Sequence, residues 1–233
     1  MKIACVQSDI IARNPENNFK HLDNLFKKIQ DDTDIIILPE TFTTGFPAEP
    51  GLFAEDENGA TMTWLREKAK EKNCAICGSF ITAFGLQTPS NSQILKFHNT
   101  FVWMNPDESY QTYDKRHTFM GGEKEQLCTG ENLITINYKG WRIRPFVCYD
   151  LRFPIWLRNS YKDGEFGYDL AIVIANWPMQ KSHIWNTLLS ARAIENQAYF
   201  IGVNRVGIDH MPPSSQSPPP PKPLPRPSPK STA

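Results

Sequence analysis

The spacing of apolar residues along the chain follows two patterns, and each pattern predicts one kind of element. Four apolar residues at 35–38 come between Asp34 and Pro39, which is typical of a strand buried on both faces. Between Pro15 and Asp31 the apolar residues instead recur every three or four positions, as on one face of a helix. They are Phe19, Leu22, Leu25, Phe26 and Ile29.

Applied to the rest of the chain, these patterns predict strands separated by helices. The predicted strands lie at residues 2–9, 34–38, 74–84, 93–104, 141–148, 169–177 and 199–207, and further helices lie near 61–71 and at 181–197. A segment rich in Gly, Ser, Asn and Pro predicts the turn between the third and fourth strands. Helices that alternate with buried strands imply sheets covered by helices, so the predicted class is α/β.

The composition is that of an ordinary globular protein without a preference for charged partners. The chain has 233 residues, 40% apolar and 12% aromatic, with a formal net charge of zero, so nothing indicates binding to nucleic acid or an anionic membrane. The N-terminal MKIACVQSDI predicts a strand rather than a signal peptide. No apolar run approaches the roughly 20 residues of a membrane span. We therefore expect a cytoplasmic protein.

The sequence changes character after Asp209. Residues 210–233 contain ten prolines and scarcely any large apolar side chain. Such a segment cannot offset its ordering entropy by burial, so we expect disorder or polyproline II structure. The sequence therefore predicts one domain at residues 1–208 and a disordered proline-rich tail at 209–233.

The five cysteines do not have the spacing of a disulfide framework. Cys74 and Cys77 form a CxxC motif, but it lies within a predicted strand, so the two side chains would face opposite ways. No second pair completes a zinc site, and the histidines lack ligand-like spacing, so we predict no metal site. Core positions are favoured for this pair, with redox chemistry or metal binding as the alternatives.

Side chains suited to catalysis follow three segments of the chain. Glu40 follows the apolar strand in ILPETFTTGF, Lys115 follows residues 109–114 in YDKRHTF, and Cys148 ends a strand in FVCYDLRFP. Taken singly, a turn glutamate, a surface lysine and a core cysteine are the ordinary interpretations. Together they supply a nucleophile, a base that accepts its proton and a cation that can stabilise an oxyanion.

These three segments resemble the signature segments of the nitrilase superfamily of carbon–nitrogen hydrolases, in order and in spacing. The segment NWPMQKSHIWNTLLSARAIENQAYFIGVNRVG is also similar to this superfamily, and most of all to its omega-amidase branch. The resemblance implies an αββα sandwich and an amidase in which Glu40 is the general base, Lys115 the oxyanion stabiliser and Cys148 the nucleophile. A second glutamate follows the lysine in this superfamily. Glu123 fits that place, and Glu125 is the alternative.

The resemblance also implies a mechanism that needs neither a metal nor an organic cofactor. Glu40 takes the proton of Cys148 as the sulfur attacks an amide carbonyl, while Lys115 and the backbone N–H of Tyr149 hold the oxyanion. Glu40 then passes the proton to the departing ammonia and activates a water molecule that hydrolyses the thioester.

Candidate substrate-binding residues lie close to these segments. Arg152 could bind a carboxylate of the substrate or an internal acid. Asn176 and Trp177 could line the pocket or belong to the core. Phe42 and Phe46 are expected to form a wall of the site.

Two further polar features favour structural roles. His117 could form a dyad with Cys148, but Glu40 and Lys115 make that dyad unnecessary. Arg192 and Glu195 stand three residues apart on a predicted helix, where a structural ion pair is expected.

The resemblance covers roughly residues 1–208, and beyond them the proline-rich tail stands in place of the superfamily's C-terminal elements. A further pair of strands around a Gly/Ser-rich segment normally completes the second sheet there. We therefore expect an incomplete second sheet with an unpaired edge. The homodimer that the resemblance implies would be weakened by the altered C-terminus.

Three functions compete at this point. The first is hydrolysis of small omega-amides of dicarboxylic acids, such as 2-oxoglutaramate. The second is hydrolysis of nitriles or N-carbamoyl compounds by the same three catalytic residues. The third is an inactive interaction protein, because the tail segment PPPPKPLPRP has the PxxP spacing of SH3 and WW ligands. Chance low complexity is the plain interpretation of that segment.

Overall fold

Two sheets stack face to face in the computed structural model of the chain, which describes residues 1–46, 49–87 and 93–207. The first sheet contains β1 (Ile3–Cys5), β2 (Ile35–Ile37), β3 (Ala75–Gln87), β4 (Gln93–Met104) and β5 (Tyr110–Asp114), in that order. The strands β1, β2 and β3 are parallel, whereas β4 and β5 continue the sheet in antiparallel fashion.

The second sheet is built from the later strands of the chain. These strands are β6 (Ile136–Tyr138), β7 (Trp141–Val147), β8 (Tyr161–Lys162), β9 (Glu165–Phe166), β10 (Leu170–Ala175) and β11 (Tyr199–Asn204). The sheet has the order β11-β10-β7-β6, and β7, β10 and β11 are parallel. The two short strands β8 and β9 form a separate hairpin.

Helices cover the outer faces of both sheets. They are α1 (Pro15–Phe26), α2 (Pro50–Phe53), α3 (Ala60–Lys72), α4 (Pro154–Leu157) and α5 (Ser182–Asn196). Short 3-10 helices precede α4 and α5, at Cys148–Arg152 and Met179–Lys181. Among the described residues, none of these helices has the length and apolar character needed to cross a membrane.

Alternating side chains on the strands divide the core into layers. In β2, Ile35 and Ile37 pack between the two sheets, whereas Ile36 packs under α1 and α3. In β10, Ile172 faces the first sheet and Val173 packs toward α5. This alternation follows from the period of two along a strand. The predicted αββα sandwich is therefore confirmed.

The element boundaries differ modestly from those predicted. The first helix ends at Phe26 rather than near Asp31, and the first strand is limited to Ile3–Cys5 because its ladder with β2 covers three residues. The strand at Gln93–Met104 has the predicted ends. The patterns did not indicate β6, the β8–β9 hairpin or the shortest helices.

The predictions for the end of the chain concern residues that the structure does not describe. Within the described ranges the second sheet has four strands, and β11 lies at its edge beside β10. The predicted disordered tail at 209–233, and the loss of later strands that it implies, lie outside the described residues.

The CxxC cysteines face opposite ways, as predicted. Cys74 packs in the layer between the first sheet and its helices, and Cys77 lies between the two sheets. Burial raises the pKa of Cys74 to about 11. In the described part of the chain, no cluster of three or more His, Cys, Asp or Glu side chains could hold a metal ion.

Candidate active site

The ends of three strands bring Glu40, Lys115 and Cys148 to one edge of the sandwich. Glu40 lies just beyond β2, Lys115 follows β5, and Cys148 follows β7. Nζ of Lys115 lies 2.7 Å from Oε1 of Glu40, and both side chains are buried. The three residues line one pocket, with about 420 Å³ of empty space, part of it open to solvent. The predicted grouping is therefore present.

A second carboxylate completes the environment of the lysine. Oε2 of Glu123 also lies 2.7 Å from Nζ of Lys115, and Glu123 is fully buried. The same oxygen accepts a 2.7 Å hydrogen bond from the backbone N–H of Phe119. Glu125 is exposed, so the geometry favours Glu123 over the alternative that the sequence left open.

The two carboxylates keep Lys115 charged. Burial alone acts to lower the pKa of Lys115, but the charges of Glu123 and Glu40 outweigh it and raise the pKa well above its usual value. An ammonium group has three N–H donors. Two of them go to the two carboxylates, so the third can serve an oxygen atom that enters the pocket.

The backbone at both the thiol and the carboxylate adopts an unusual conformation. Cys148 has φ of 47° at the turn from β7 into the 3-10 helix, and Thr41, next to Glu40, has φ of 46°. Left-handed backbone at non-glycine residues costs of order 1–3 kcal/mol each and is concentrated at functional sites. At Thr41 the conformation is rarer still, because its side chain is branched at Cβ.

The surroundings of the Cys148 side chain favour the protonated thiol. Burial and the negative charge of Glu40 raise its pKa well above the ordinary value for cysteine, and Lys115 opposes this only in part. The thiolate is the nucleophilic form of cysteine, so attack by this thiol would require a nearby base, and the Glu40 carboxylate lines the same pocket.

Three hydrogen bonds hold the Glu40 carboxylate in place. A carboxylate has about four lone-pair positions. Oε1 accepts from Nζ of Lys115 and, at 2.8 Å, from Nδ2 of Asn99. Oε2 accepts a 2.7 Å bond from the backbone N–H of Asn176. Among the described residues, these bonds leave one acceptor position, on Oε2, for a further donor.

Five of the predicted substrate-binding residues line the pocket, namely Phe46, Tyr149, Arg152, Asn176 and Trp177. Beside the catalytic candidates, the lining consists of Phe46, Phe119, Tyr149, Arg152, Asn176, Trp177, Pro178 and Lys181. Phe46 packs edge-on against Phe119, with ring centroids 6.3 Å apart, and forms an apolar wall.

The prediction that Phe42 forms a wall of the site is wrong. Phe42 is fully buried between the first sheet and its helices, where its ring packs against Trp64 at 6.0 Å. The left-handed turn at Thr41 directs the following residue away from the pocket.

Two cations lie together in the wall of the pocket. The guanidinium of Arg152 lies over the ring of Trp177 at 5.3 Å and over that of Tyr149 at 5.9 Å. No carboxylate within the described residues forms an ion pair with Arg152, so the internal-acid alternative gains no support. Burial, and then the charge of Arg152, lower the pKa of Lys181. This part of the pocket is suited to an anionic group.

The remaining polar candidates have structural partners. Nδ1 of His117 lies 2.8 Å from Asp150, and its ring stacks on Phe153 at 3.6 Å, so it forms no dyad with the thiol. Arg192 and Glu195 form the predicted pair at 3.0 Å. The guanidinium of Arg192 also donates to the carbonyl of residue 151.

Asp150 links the segments that carry the lysine and the thiol. Its carboxylate accepts hydrogen bonds from the backbone N–H groups of Val147 (3.1 Å) and His117 (2.9 Å) and from the hydroxyl of Tyr113 (2.7 Å). The sequence patterns gave no sign of this role, nor of the positions of Asn99, Phe119 and Lys181 in the site.

The chain matches a protein family and several known proteins over most of its length. The carbon–nitrogen hydrolase family model matches residues 2–217. The chain is 41% identical to the omega-amidase YafV of Yersinia enterocolitica, over 90% of this chain and 76% of that protein. It is 29% identical to the 2-oxoglutaramate amidase of Bacillus subtilis strain 168, over 88% of this chain and 76% of that protein.

A solved structure gives the same result for the fold. The Xanthomonas campestris protein XC1258, described as a CN-hydrolase superfamily protein with an arsenic adduct in its active site, superposes with a TM-score of 0.79. It is 39% identical to this chain and covers 89% of it, and the match covers 77% of XC1258.

Proposed function

The chain belongs to the carbon–nitrogen hydrolase family, and from that premise we propose that it hydrolyses small omega-amides of dicarboxylic acids, such as 2-oxoglutaramate, to the acid and ammonia. The observation that carries the proposal is the position of the Cys148 thiol beside the buried cluster of Glu40, Lys115 and Glu123, in a pocket that also holds two cations. The omega-amidase and 2-oxoglutaramate amidase relatives support the same class of substrate.

The first half of the proposed reaction forms a thioester. The sulfur of Cys148 attacks the amide carbonyl carbon as its proton moves to Glu40. The third N–H of Lys115 and the backbone N–H of Tyr149 stabilise the oxyanion, a role in which a single donor is worth about 10²–10³ in rate. The C–N bond then breaks, and ammonia leaves with the proton that Glu40 returns.

The second half releases the acid. Glu40, ionised again, takes a proton from a water molecule whose oxygen attacks the thioester carbonyl. The same donors hold the second oxyanion. The C–S bond breaks, the sulfur of Cys148 regains the proton from Glu40, and the carboxylic acid product departs. Proton transfers of this kind contribute about 10²–10⁴ each.

The cationic part of the pocket supports a substrate with a free carboxylate. Arg152 acts on Lys181 through its charge, and Phe46 and Phe119 form an apolar part of the same lining. A guanidinium binds a carboxylate through paired N–H donors. An omega-amide of a dicarboxylic acid has the required carboxylate at one end and the scissile amide at the other.

The two alternatives receive less support. Nitriles and N-carbamoyl compounds would use the same three catalytic residues, but a neutral nitrile has no group for the cationic wall. The intact Glu–Lys–Cys cluster argues against an inactive interaction protein, and the PxxP segment of that alternative lies outside the described residues. A cytoplasmic location and a homodimer remain predictions.

Release of ammonia from a panel of purified compounds tests the proposal. The panel contains 2-oxoglutaramate, succinamate, butyramide, butyronitrile and an N-carbamoyl amino acid, with a Cys148→Ser variant as the control for contaminating activity. We expect the highest kcat/KM for the two omega-amides, 2-oxoglutaramate and succinamate, and a lower value for the N-carbamoyl amino acid, although it also carries a carboxylate. A higher kcat/KM for butyramide or butyronitrile would contradict the proposed substrate class, and an inactive wild-type chain would contradict the function itself.

A further inference from the structure

The buried side chain of Asn99 joins both carboxylates of the site. Asn99 lies on β4, and its Nδ2 donates hydrogen bonds to Oε1 of Glu40 at 2.8 Å and to Oε1 of Glu123 at 3.0 Å. Its backbone carbonyl accepts a 2.9 Å bond from the N–H of Lys115. These bonds and the two lysine–carboxylate bonds close a ring of four side chains.

The two carboxylates set the orientation of the Asn99 side-chain amide. Hydrogen bonding of its oxygen, Oδ1, does not. Only the nitrogen can face two carboxylates, because the amide oxygen would be repelled by both. Asn99 is buried, and its Oδ1 has no hydrogen-bond partner among the described residues. Buried polar atoms are rarely left in this state, so the arrangement gives up one hydrogen bond to retain two bonds to the carboxylates.

The charge of this ring explains why a neutral donor such as the Asn99 amide suits it. Glu40 and Glu123 carry two negative charges against one positive charge on Lys115, so the buried ring has an excess negative charge. A second cation would neutralise that charge but would compete with Lys115 for the carboxylates. The two N–H groups of an amide stabilise both carboxylates without adding charge.

We infer that Asn99 is a positioning residue, which holds Glu40 and Glu123 on either side of Lys115 so that Glu40 meets the thiol of Cys148. Asn99 is not among the residues that line the pocket. Loss of its donors should therefore lower kcat and leave KM unchanged. Only the kinetic test of this inference rests on the proposed amidase function.

The kinetic test compares Asn99→Ala with Thr100→Val, the neighbouring residue on β4. Thr100 bonds to Thr82 and Asp114 on the other face of the strand, so its loss should affect stability but not the ring. With 2-oxoglutaramate, and with rates divided by the number of titrated Cys148 thiols, we expect kcat of Asn99→Ala to fall about 10- to 100-fold at constant KM. A wild-type kcat, or a rise in KM alone, would overturn the inference.

An Asn99→Asp variant provides a test that needs no substrate. The introduced carboxyl would face Glu40, Glu123, Lys115 and the thiol of Cys148. Burial and two like charges raise its folded pKa above the unfolded value, so the folded protein retains stability below the unfolded pKa and loses it as the pH rises.

Urea unfolding of Asn99→Asp and wild type at pH values from 4.5 to 8 measures this difference. We expect the stability deficit of Asn99→Asp relative to wild type to grow with pH, whereas Asn105→Asp, in the half-buried turn after β4, should show no such trend. A deficit independent of pH would overturn the inference whether or not any amide is cleaved. Failure of the amide panel alone would contradict the proposed function and leave this result standing.

Discussion

The backbone N–H of Asn176 donates a 2.7 Å hydrogen bond to Oε2 of Glu40, across the boundary between the two sheets. Glu40 follows β2 in the first sheet, and Asn176 follows β10 in the second. The guanidinium of Arg205 in turn holds Oδ1 of Asn176 at 2.7 Å. The position of the proposed base therefore depends on the packing of both sheets.

Replacement of Glu40 by Gln should lower amide turnover and should also lower the pKa of the Cys148 thiol. The variant keeps its shape but cannot accept the proton of Cys148, so amide turnover should fall by about 100-fold or more. Glu40 is also a cause of the raised pKa of Cys148. Its loss should therefore lower that pKa.

The rate of iodoacetamide alkylation of Cys148, followed by mass spectrometry from pH 6 to 11, measures this shift. The profile of Glu40→Gln should lie at lower pH than that of wild type. A profile that is unchanged or moved to higher pH would show that Glu40 does not act on the thiol.

Replacement of Lys115 by Met should damage both stability and activity. The variant leaves Glu40 and Glu123 buried without a cation, and removal of one partner from a buried ion pair costs about 3–5 kcal/mol. Turnover should fall about 100-fold or more, because an oxyanion donor is lost. Urea unfolding and initial rates measure the two effects.

Lys68→Met is the matched control for that variant. Lys68 also contacts two carboxylates, those of Asp23 (3.1 Å) and Glu71 (2.8 Å), but near the surface. Its replacement should cost about 1 kcal/mol or less and leave turnover unchanged. Equal losses of stability in the two variants would contradict the account of the buried cluster.

Replacement of Arg152 by Met should affect charged substrates selectively. The kcat/KM for 2-oxoglutaramate should fall about 10- to 100-fold, because a charge-assisted bond to the substrate carboxylate is lost. The kcat/KM for butyramide should change little. Arg158→Met, in the same region but outside the pocket lining, is the control. A uniform loss on both substrates would contradict a role in carboxylate recognition.

Replacement of Gly130 by Ala should disturb the segment that carries Lys115. A Cβ atom at Gly130 would overlap the carbonyl oxygen of Asp114, and the N–H of Gly130 bonds to the carbonyl of Lys115 at 2.9 Å. We expect a loss of about 1–3 kcal/mol together with reduced turnover. Gly51→Ala, where an added Cβ meets no atom within 4 Å, should be neutral. Thermal unfolding of both variants measures the two losses of stability, and equal losses would contradict this expectation.

Features with a short-range signal could be predicted from the sequence. The apolar run at 35–38 predicts that β2 is buried on both faces, and the whole of this pattern lies within four residues. Glu40, Lys115 and Cys148 could be placed together because each follows a strand, and because their segments resemble one superfamily. Their grouping in one pocket could be predicted from these two observations.

Features that depend on distant partners could not be predicted. Asn99 lies within a strand whose pattern gives no reason to single out one polar residue, and its partners are 59 and 24 residues away. Phe42 was misplaced because a left-handed turn at Thr41 reverses the direction that sequence proximity to Glu40 suggests. The strands β8 and β9 have two residues each, too few to show a period.

Acylation of Cys148 is the step on which the whole mechanism depends. The most direct measurement is rapid acid quenching during turnover of 2-oxoglutaramate, followed by mass spectrometry of the cysteine-containing peptides. The expected result is a mass increase, equal to the substrate minus ammonia, on the peptide that contains Cys148, and its absence in Cys148→Ser. An adduct on Cys5, Cys74, Cys77 or Cys128, or undiminished ammonia release by Cys148→Ala, would contradict the account.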